Sequence, residues 1–392
     1  MGNLSAQEGQ GGEERRNPFT PTFGVTPPEL VGRSEELESF RDALAEGPGS
    51  PGRAMLFTGA RGMGKTVLLN AAEDAAQQAG WLVASVTSRR GMRDELVQTI
   101  LPALLLQHDP QAHGSTTTGV NVSAAGFGIG ATKETTARYE VTPSFRSLLE
   151  RLAEVQMERG SGVLVSVDEA HRAVVDDLRE IAQGVQHAFR TNLDVAFVAA
   201  GLPSAVDALL NVDAMTFLRR AERFALGAVR DSEVARALRG PIEAAGRTLS
   251  TAALDAALVA IQGYPFFVQL VGYELWAAQP SSREIDGDQA ERAVRRAARR
   301  AGRVLHEPLL ADLSGRDRDF LQAMAQDDGA SRLSEIASRL GVTLNHASQY
   351  RARLIAADVI EPHQHGQVRF AVPFLRDHLR QHPPTSPDGE VS

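Results

Sequence analysis

A chain of 392 residues, 43% hydrophobic and 23% charged, has room for two or three domains and a core well past the marginal size. It contains no cysteine, which excludes disulfides, thiolate nucleophiles and thiolate metal sites, and no apolar run approaches the roughly 18 residues a membrane helix needs. A net charge of −8 gives no global attraction to nucleic acid, so any such contact requires a local basic patch.

Residues 1–20, rich in Gly, Glu and Gln, lack the apolar core of a signal peptide and are expected to be disordered, as is the Pro-rich tail 382–392. A cytoplasmic protein with no membrane association is expected. From 21 to 230, short β-rich runs alternate with helical stretches, the pattern of an α/β fold with a parallel sheet. The predicted strands are Arg53–Thr58, Trp81–Thr87, Gly162–Val167 and Val195–Ala200, with Arg223–Leu226 as a short fifth. Helix Lys65–Gly80 follows the first. Residues 108–140 interrupt the rhythm: Val120/Val122 and Phe127/Ile129 alternate around Ala124-Ala125-Gly126, which suggests a hairpin insertion, either a plain surface loop or a functional arm.

Residues 231–303 read as four helices, Ser232–Ala244, Thr251–Gln262, Pro265–Ala278 and Asp288–Ala301, forming a small lid domain. Gly263 stops the second and Pro265 opens the third. Arg303–Leu313 links the lid to residues 314–381, which read helix, helix, helix, hairpin. These are Arg316–Gln326, Arg332–Leu340, a helix capped by Thr343 that runs to Ala357, and strands Ile360–Pro362 and Val368–Val372 flanking His365-Gly366. The order is that of a winged helix-turn-helix.

Gly59-Ala60-Arg61-Gly62-Met63-Gly64-Lys65-Thr66 fits GxxxxGK[ST] between a predicted strand and a predicted helix, the context that gives the motif its meaning. The glycines let backbone N–H groups converge on phosphate oxygens, and the helix N-terminus, with Val67 as its next residue, adds partial positive charge. Lys65 is placed to reach the β- and γ-phosphates of ATP, and the Thr66 hydroxyl to ligate Mg²⁺. Lys65 and Lys133 are the only lysines; every other basic residue is arginine.

Val163–Val167 is an apolar strand ending in Asp168-Glu169, about a hundred residues downstream. Asp168 is the candidate Mg²⁺ holder, and Glu169 the general base that polarises the attacking water. Asp168-Glu169-Ala170-His171 also spells a helicase box, but a second RecA-like domain is missing from the pattern, and His171 reads as incidental.

With these motifs placed, the chain resembles the origin-recognition branch of the AAA+ ATPases and the STAND-like ATPases close to it. Leu30-Val31-Gly32-Arg33-Ser34-Glu35-Glu36-Leu37 is similar to the box that precedes their phosphate loop, and the resemblance implies that Val31, Gly32 and Arg33 lie beside adenine. Gly263-Tyr264-Pro265 resembles the lid signature that puts Pro265 near the nucleotide. There are two departures. The fourth strand ends Ala199-Ala200-Gly201-Leu202 without a polar sensor, and Gly263–Gln269 stands where a sensor arginine is often found. Both favour a slow switch over fast hydrolysis. Arg219 and Arg220 occupy the place of an arginine finger reaching a neighbour's nucleotide, with Arg223 in reserve; a solvated helix end is the alternative.

On the third helix of the last unit, Leu340, Val342, Ala347, Tyr350 and Leu354 suit a core. Asn345, His346, Gln349 and Arg353 form the opposite stripe, able to read base edges or phosphates, and His363, Gln364, His365 and Arg369 decorate the wing. Arg292, Arg296, Arg299 and Arg303 make a further stripe that either tracks phosphates or faces solvent. The expected protein is an oligomerising ATPase whose nucleotide state controls DNA binding. The alternatives are a STAND-like switch using the winged helix for protein contacts, and a non-hydrolysing ATP-binding transcription regulator.

Overall fold

Uninterrupted apolar runs make strands buried on both faces, and the sheet is built from them. The computed structural model describes residues 16–22, 30–111, 143–170, 175–211, 218–278 and 282–383, so His171 and most of the 108–140 insertion lie outside the described residues. Two compact units emerge.

The first unit comprises residues 35–59 and 68–225. In chain order it holds α1 (Ser34–Glu46), β1 (Ala54–Gly59), α2 (Lys65–Gln78), β2 (Leu82–Thr87), α3 (Met92–Glu95), a π-helical turn, α4 (Leu101–His108), α5 (Phe145–Met157), β3 (Val163–Asp168), α6 (Val175–Arg190), β4 (Val195–Gly201), α7 (Pro203–Leu210) and β5 (Glu222–Leu226). The sheet order is β2-β3-β4-β1-β5, parallel between β2, β3, β4 and β1. Every residue of β4 is buried, whereas β5 alternates because it is an edge. Helix α6 buries Leu178, Ile181, Ala182, Val185 and Ala188, an i, i+3, i+4 stripe. Asp176 and Asp177 at its start and His187 and Arg190 at its end suit the helix dipole.

The second unit comprises residues 1–34, 60–67 and 226–392. Its elements are α8 (Asp231–Ala244), β6 (Thr248–Leu249), α9 (Thr251–Ile261), α10 (Pro265–Trp276), β7 (Glu284–Ile285), α11 (Gly287–Ala301), α12 (Glu307–Ala311), α13 (Gly315–Met324), β8 (Ser331–Arg332), α14 (Leu333–Leu340), α15 (Leu344–Ala356), β9 (Ile360–Pro362), β10 (Gln367–Phe370) and α16 (Leu375–Gln381). One apolar core runs through it, from Leu238, Phe267 and Val271 to Phe320, Ile336, Leu354 and Leu375.

Three features differ from the sequence expectation. Arg303–Leu313 is no plain linker: a π-helical turn over Gly302–His306 carries α11 into α12, because Leu305 and Leu309 continue the buried stripe. The hairpin is widened by β8 into a three-stranded sheet, order β8-β10-β9, and α16 follows it. Residues 16–20 are not a free tail. Phe19 is 2% exposed against Gly272, and the Thr20 amide donates to Gln269 Oε1 (3.0 Å).

Candidate active site

In the sheet unit the chemistry gathers at the carboxyl edge. Gly59 ends β1 and Asp168 ends β3, with β4 between them; the register pairs Thr58 with Gly201 and Val167 with Ala199. The backbone breaks sharply after Asp168. Glu169 has φ 54°, a left-handed conformation that costs a non-glycine residue of order 1 kcal/mol or more. The turn is held by the Glu169 amide donating to Asp168 Oδ1 (2.8 Å) and the Ala170 amide donating to Ala200 O (2.7 Å). Glu169 is thereby exposed just beyond the sheet edge. Behind it, Glu73 of α2 accepts from Ser166 Oγ (2.5 Å) and Ser85 Oγ (2.7 Å), tying that helix to β3 and β2.

The phosphate loop belongs to the other unit. Gly62 and Gly64 have φ 79° and 84°, which only glycine adopts cheaply. Space demands glycine as well: a Cβ on Gly62 would lie 2.5 Å from Tyr264 Cε1. Tyr264 precedes α10, and its hydroxyl donates to Arg61 O in a short hydrogen bond, while the Phe266 amide donates to Gly62 O (3.3 Å). Pro265 stands over Gly64, 4.0 Å from where its Cβ would be. Burial pushes the Tyr264 phenol well above its ordinary value, so it stays a donor. Met63 packs on the core shared by α8–α11 and the C-terminal elements. Lys65 Nζ donates to Ala60 O (2.9 Å).

Two acidic side chains of the C-terminal region also face this loop. Burial pushes the Asp358 carboxyl up, and the Lys65 ammonium acts against that shift. Arg61 pairs with Asp312 (2.9 Å), but both are exposed, so this pair contributes less than about 1 kcal/mol. Sequence reasoning missed Tyr264, Asp358 and Asp312. Tyr264 sat inside a recognised signature; the two acids had no local signal.

The remaining candidates are placed as follows. Val31 is buried, Gly32 has φ 62°, and Arg33 is 8% exposed with Nη2 donating to Gly227 O (2.6 Å). Arg219 Nε donates to Leu210 O, the last carbonyl of α7 (2.8 Å), and Arg220 is exposed. Asn345, His346 and Gln349 are exposed on α15. Arg353, its side chain half exposed, also grips Asp317 (2.6 Å) and stacks on Tyr350 (4.9 Å). Arg369 pairs with Glu361 across β9 and β10.

The Thr66 hydroxyl and the Asp168 carboxylate are each an oxygen donor of the kind Mg²⁺ takes, and among the described residues no cluster of three or more His, Asp or Glu forms a self-sufficient metal cage.

Residues 29–195 match the family model of the AAA ATPase domain. That stretch holds the phosphate loop and the acidic end of β3, and it is similar to the ATPase domain of the AAA family. Residues 303–379 match a family described as a domain of unknown function (DUF8462). No curated protein matches the chain in sequence. Among solved structures, the Walker-type ATPase PABY2304 of Pyrococcus abyssi is similar over 90% of this chain and 96% of its own, with TM-score 0.63 and 17% identity. The ORC2 protein of Aeropyrum pernix, solved as ADPNP–ADP complexes, is similar over 92% and 96%, with TM-score 0.60 and 14% identity. At these identities the likeness is one of fold. In this chain β4 ends in buried Ala199-Ala200-Gly201, without a polar side chain.

Proposed function

We propose that this ATPase is a slow nucleotide switch whose state controls DNA binding through the C-terminal helices and hairpin, read as a winged helix. What carries the reading is the company the phosphate loop keeps. Residues 60–67 pack with Tyr264, Pro265 and a core continuous to α13–α16, so a change at the phosphates is felt by the same packed body that presents α15. Bound ATP draws the Lys65 ammonium from Ala60 O onto its phosphates. The Thr66 hydroxyl and the Asp168 carboxylate are the oxygen donors offered to Mg²⁺, which would neutralise charge on the phosphates. Glu169 orients a water and takes its proton. The missing sensor keeps turnover low. On α15, Leu344 is 57% exposed beside Asn345 and His346, an apolar and polar face suited to a partner surface.

A fluorescence titration of labelled DNA in ADP and in a non-hydrolysable ATP analogue, between 50 and 200 mM salt, tests this. Affinity is expected to differ between nucleotides and to fall steeply with salt. No binding in either state removes DNA from the reading. The STAND-like alternative then stands, in which the C-terminal region is a protein-contact element; the approach of Asp358 to Lys65 and of Asp312 to Arg61 favours it.

Assembly has its own test. Arg219→Ala with Arg220→Ala is expected to leave ATP binding by one protomer unchanged, yet lower hydrolysis and loosen any ATP-dependent oligomer, because a finger acts on the neighbour's γ-phosphate. Mixing it with Lys65→Ala should restore some turnover. If mixing restores none and the wild type stays monomeric with ATP, the trans-acting arrangement is wrong and Arg219 only caps α7.

A further inference from the structure

The arginines of α11 fall into two rows with different fates. Arg296 donates from Nε and Nη2 to the Glu274 carboxylate (2.8 Å) and carbonyl (2.9 Å), and Arg300 lies 3.7 Å from the same carboxylate and over the Tyr273 ring. Their charge is answered within the fold. Arg295, Arg299 and Arg303 point elsewhere, into a groove of about 880 Å³ between α11 and α16. Among the described residues that line it, the acids are Glu307 and Asp377, against these three arginines and Arg380, whose own guanidinium is engaged by Asp328 (2.8 Å). Arg295 also has an exposed partner, Glu291, at 3.4 Å, a weak contact in solvent. Small residues open the floor: a Cβ on Gly302 would lie 2.9 Å from His378 Nδ1, so only glycine lets α16 approach this closely. His378 rests there between His306 and His382, at ring distances of 5.2 and 4.4 Å. Burial, followed by the nearby His382, depresses its pKa, so the arginines supply the groove's positive charge at neutral pH.

Two observations say what the groove takes. Arg295 and Arg299 are four residues apart, a rise of about 6 Å along α11 that is close to the step between phosphates on one nucleic-acid strand, and Arg303 follows four residues on in the π-helical turn. A single phosphate could engage only one or two of them. The groove also shares Val294, Phe374 and Asp377 with a second groove of about 580 Å³, which is lined by Arg369, His363 and Arg376 and so reaches the β9–β10 hairpin. The two grooves are therefore contiguous from the hairpin to α11, with Arg369 held by Glu361 and Arg376 donating to the Asp328 and Gly329 carbonyls, in a chain whose net charge is −8.

We propose that the α11–α16 groove holds the sugar–phosphate backbone of DNA running on from the hairpin, as a sequence-independent site separate from the exposed face of α15. The proposal rests on the DNA reading above and adds a site to it. The test compares full-length wild type, the triple variant Arg295→Gln/Arg299→Gln/Arg303→Gln, its Lys counterpart at the same positions, and Asn345→Ala/His346→Ala/Gln349→Ala. The probe is a fluorescein-labelled duplex of arbitrary sequence titrated at several salt concentrations.

The Gln variant is expected to bind about 10- to 100-fold more weakly, each exposed charge contact being a factor of roughly two to five. Its log–log salt slope should flatten by about 0.9 per arginine removed. The Lys variant should bind nearly as wild type, and melting temperature and ATP affinity should hold in both. The α15 variant should keep the full salt slope on this probe. If the Gln variant is unstable, the Arg295→Gln/Arg299→Gln pair carries the same test. Wild-type affinity and slope in the Gln variant overturn the groove and leave the DNA reading intact, whereas a wild type that binds no duplex overturns both. Unchanged DNA binding with weakened self-association also overturns it and assigns the arginines to a second copy of the chain.

Discussion

Lys65→Ala is expected to weaken ATP binding by about 10²-fold or more while the protein still folds. Lys65 contributes nothing to the apolar core: its ammonium sits at the loop, on Ala60 O, and its charge acts on the Asp358 carboxyl. A charge-assisted hydrogen bond to phosphate is of order 1.5–3 kcal/mol, and the lysine makes contacts to two phosphates. Isothermal titration with ATP and Mg²⁺ reads the affinity, and a thermal melt in the absence of nucleotide checks the fold. An unchanged dissociation constant would sink the phosphate-loop assignment. Loss of binding accompanied by a lower melting temperature would instead make Lys65 a structural tie between Ala60 and Asp358.

Glu169→Gln should separate binding from chemistry. Glutamine has the same length and shape, so the left-handed turn after β3, held by the Asp168 carboxylate and the Ala170–Ala200 bond, is retained. What disappears is the ability to take a proton. Steady-state phosphate release is expected to fall by roughly 10²–10⁴-fold, the range for loss of a general base, with ATP affinity within about a factor of two. Because the wild type is expected to be slow, single-turnover conditions with radiolabelled ATP are the appropriate measurement. Turnover that survives within a factor of two excludes Glu169 as the base.

Much of the architecture was legible because it rests on local rules. The four central strands lie within a residue or so of their expected bounds, since runs such as Val163–Val167 have no alternation and fit only a sheet covered on both faces. The helix start after Thr343 was readable from its capping side chain, which accepts from the His346 amide, and Ser144, Ser250, Asp286 and Ser314 cap their helices in the same way. The phosphate loop was readable for a similar reason. Its glycine spacing states a backbone requirement that few other structures impose.

What the sequence did not show is long-range partnership: Asp317 and Glu274, the partners of Arg353 and Arg296, lie 36 and 22 residues away in sequence. Arg303–Leu313 looked like a linker because its two buried leucines mean nothing until α16 and the lid core are in place.

The sequence alone therefore determined the sheet, the phosphate loop and the acidic strand end, because each is set by residues within one turn or one strand of one another. Tertiary structure alone decided that the loop is clasped by Tyr264 and faced by Asp358, and which arginines of α11 are neutralised and which remain in a groove. Those outcomes depend on ion pairs, burial and close approach between segments far apart in the chain, whose energies exist only once the core has brought them together.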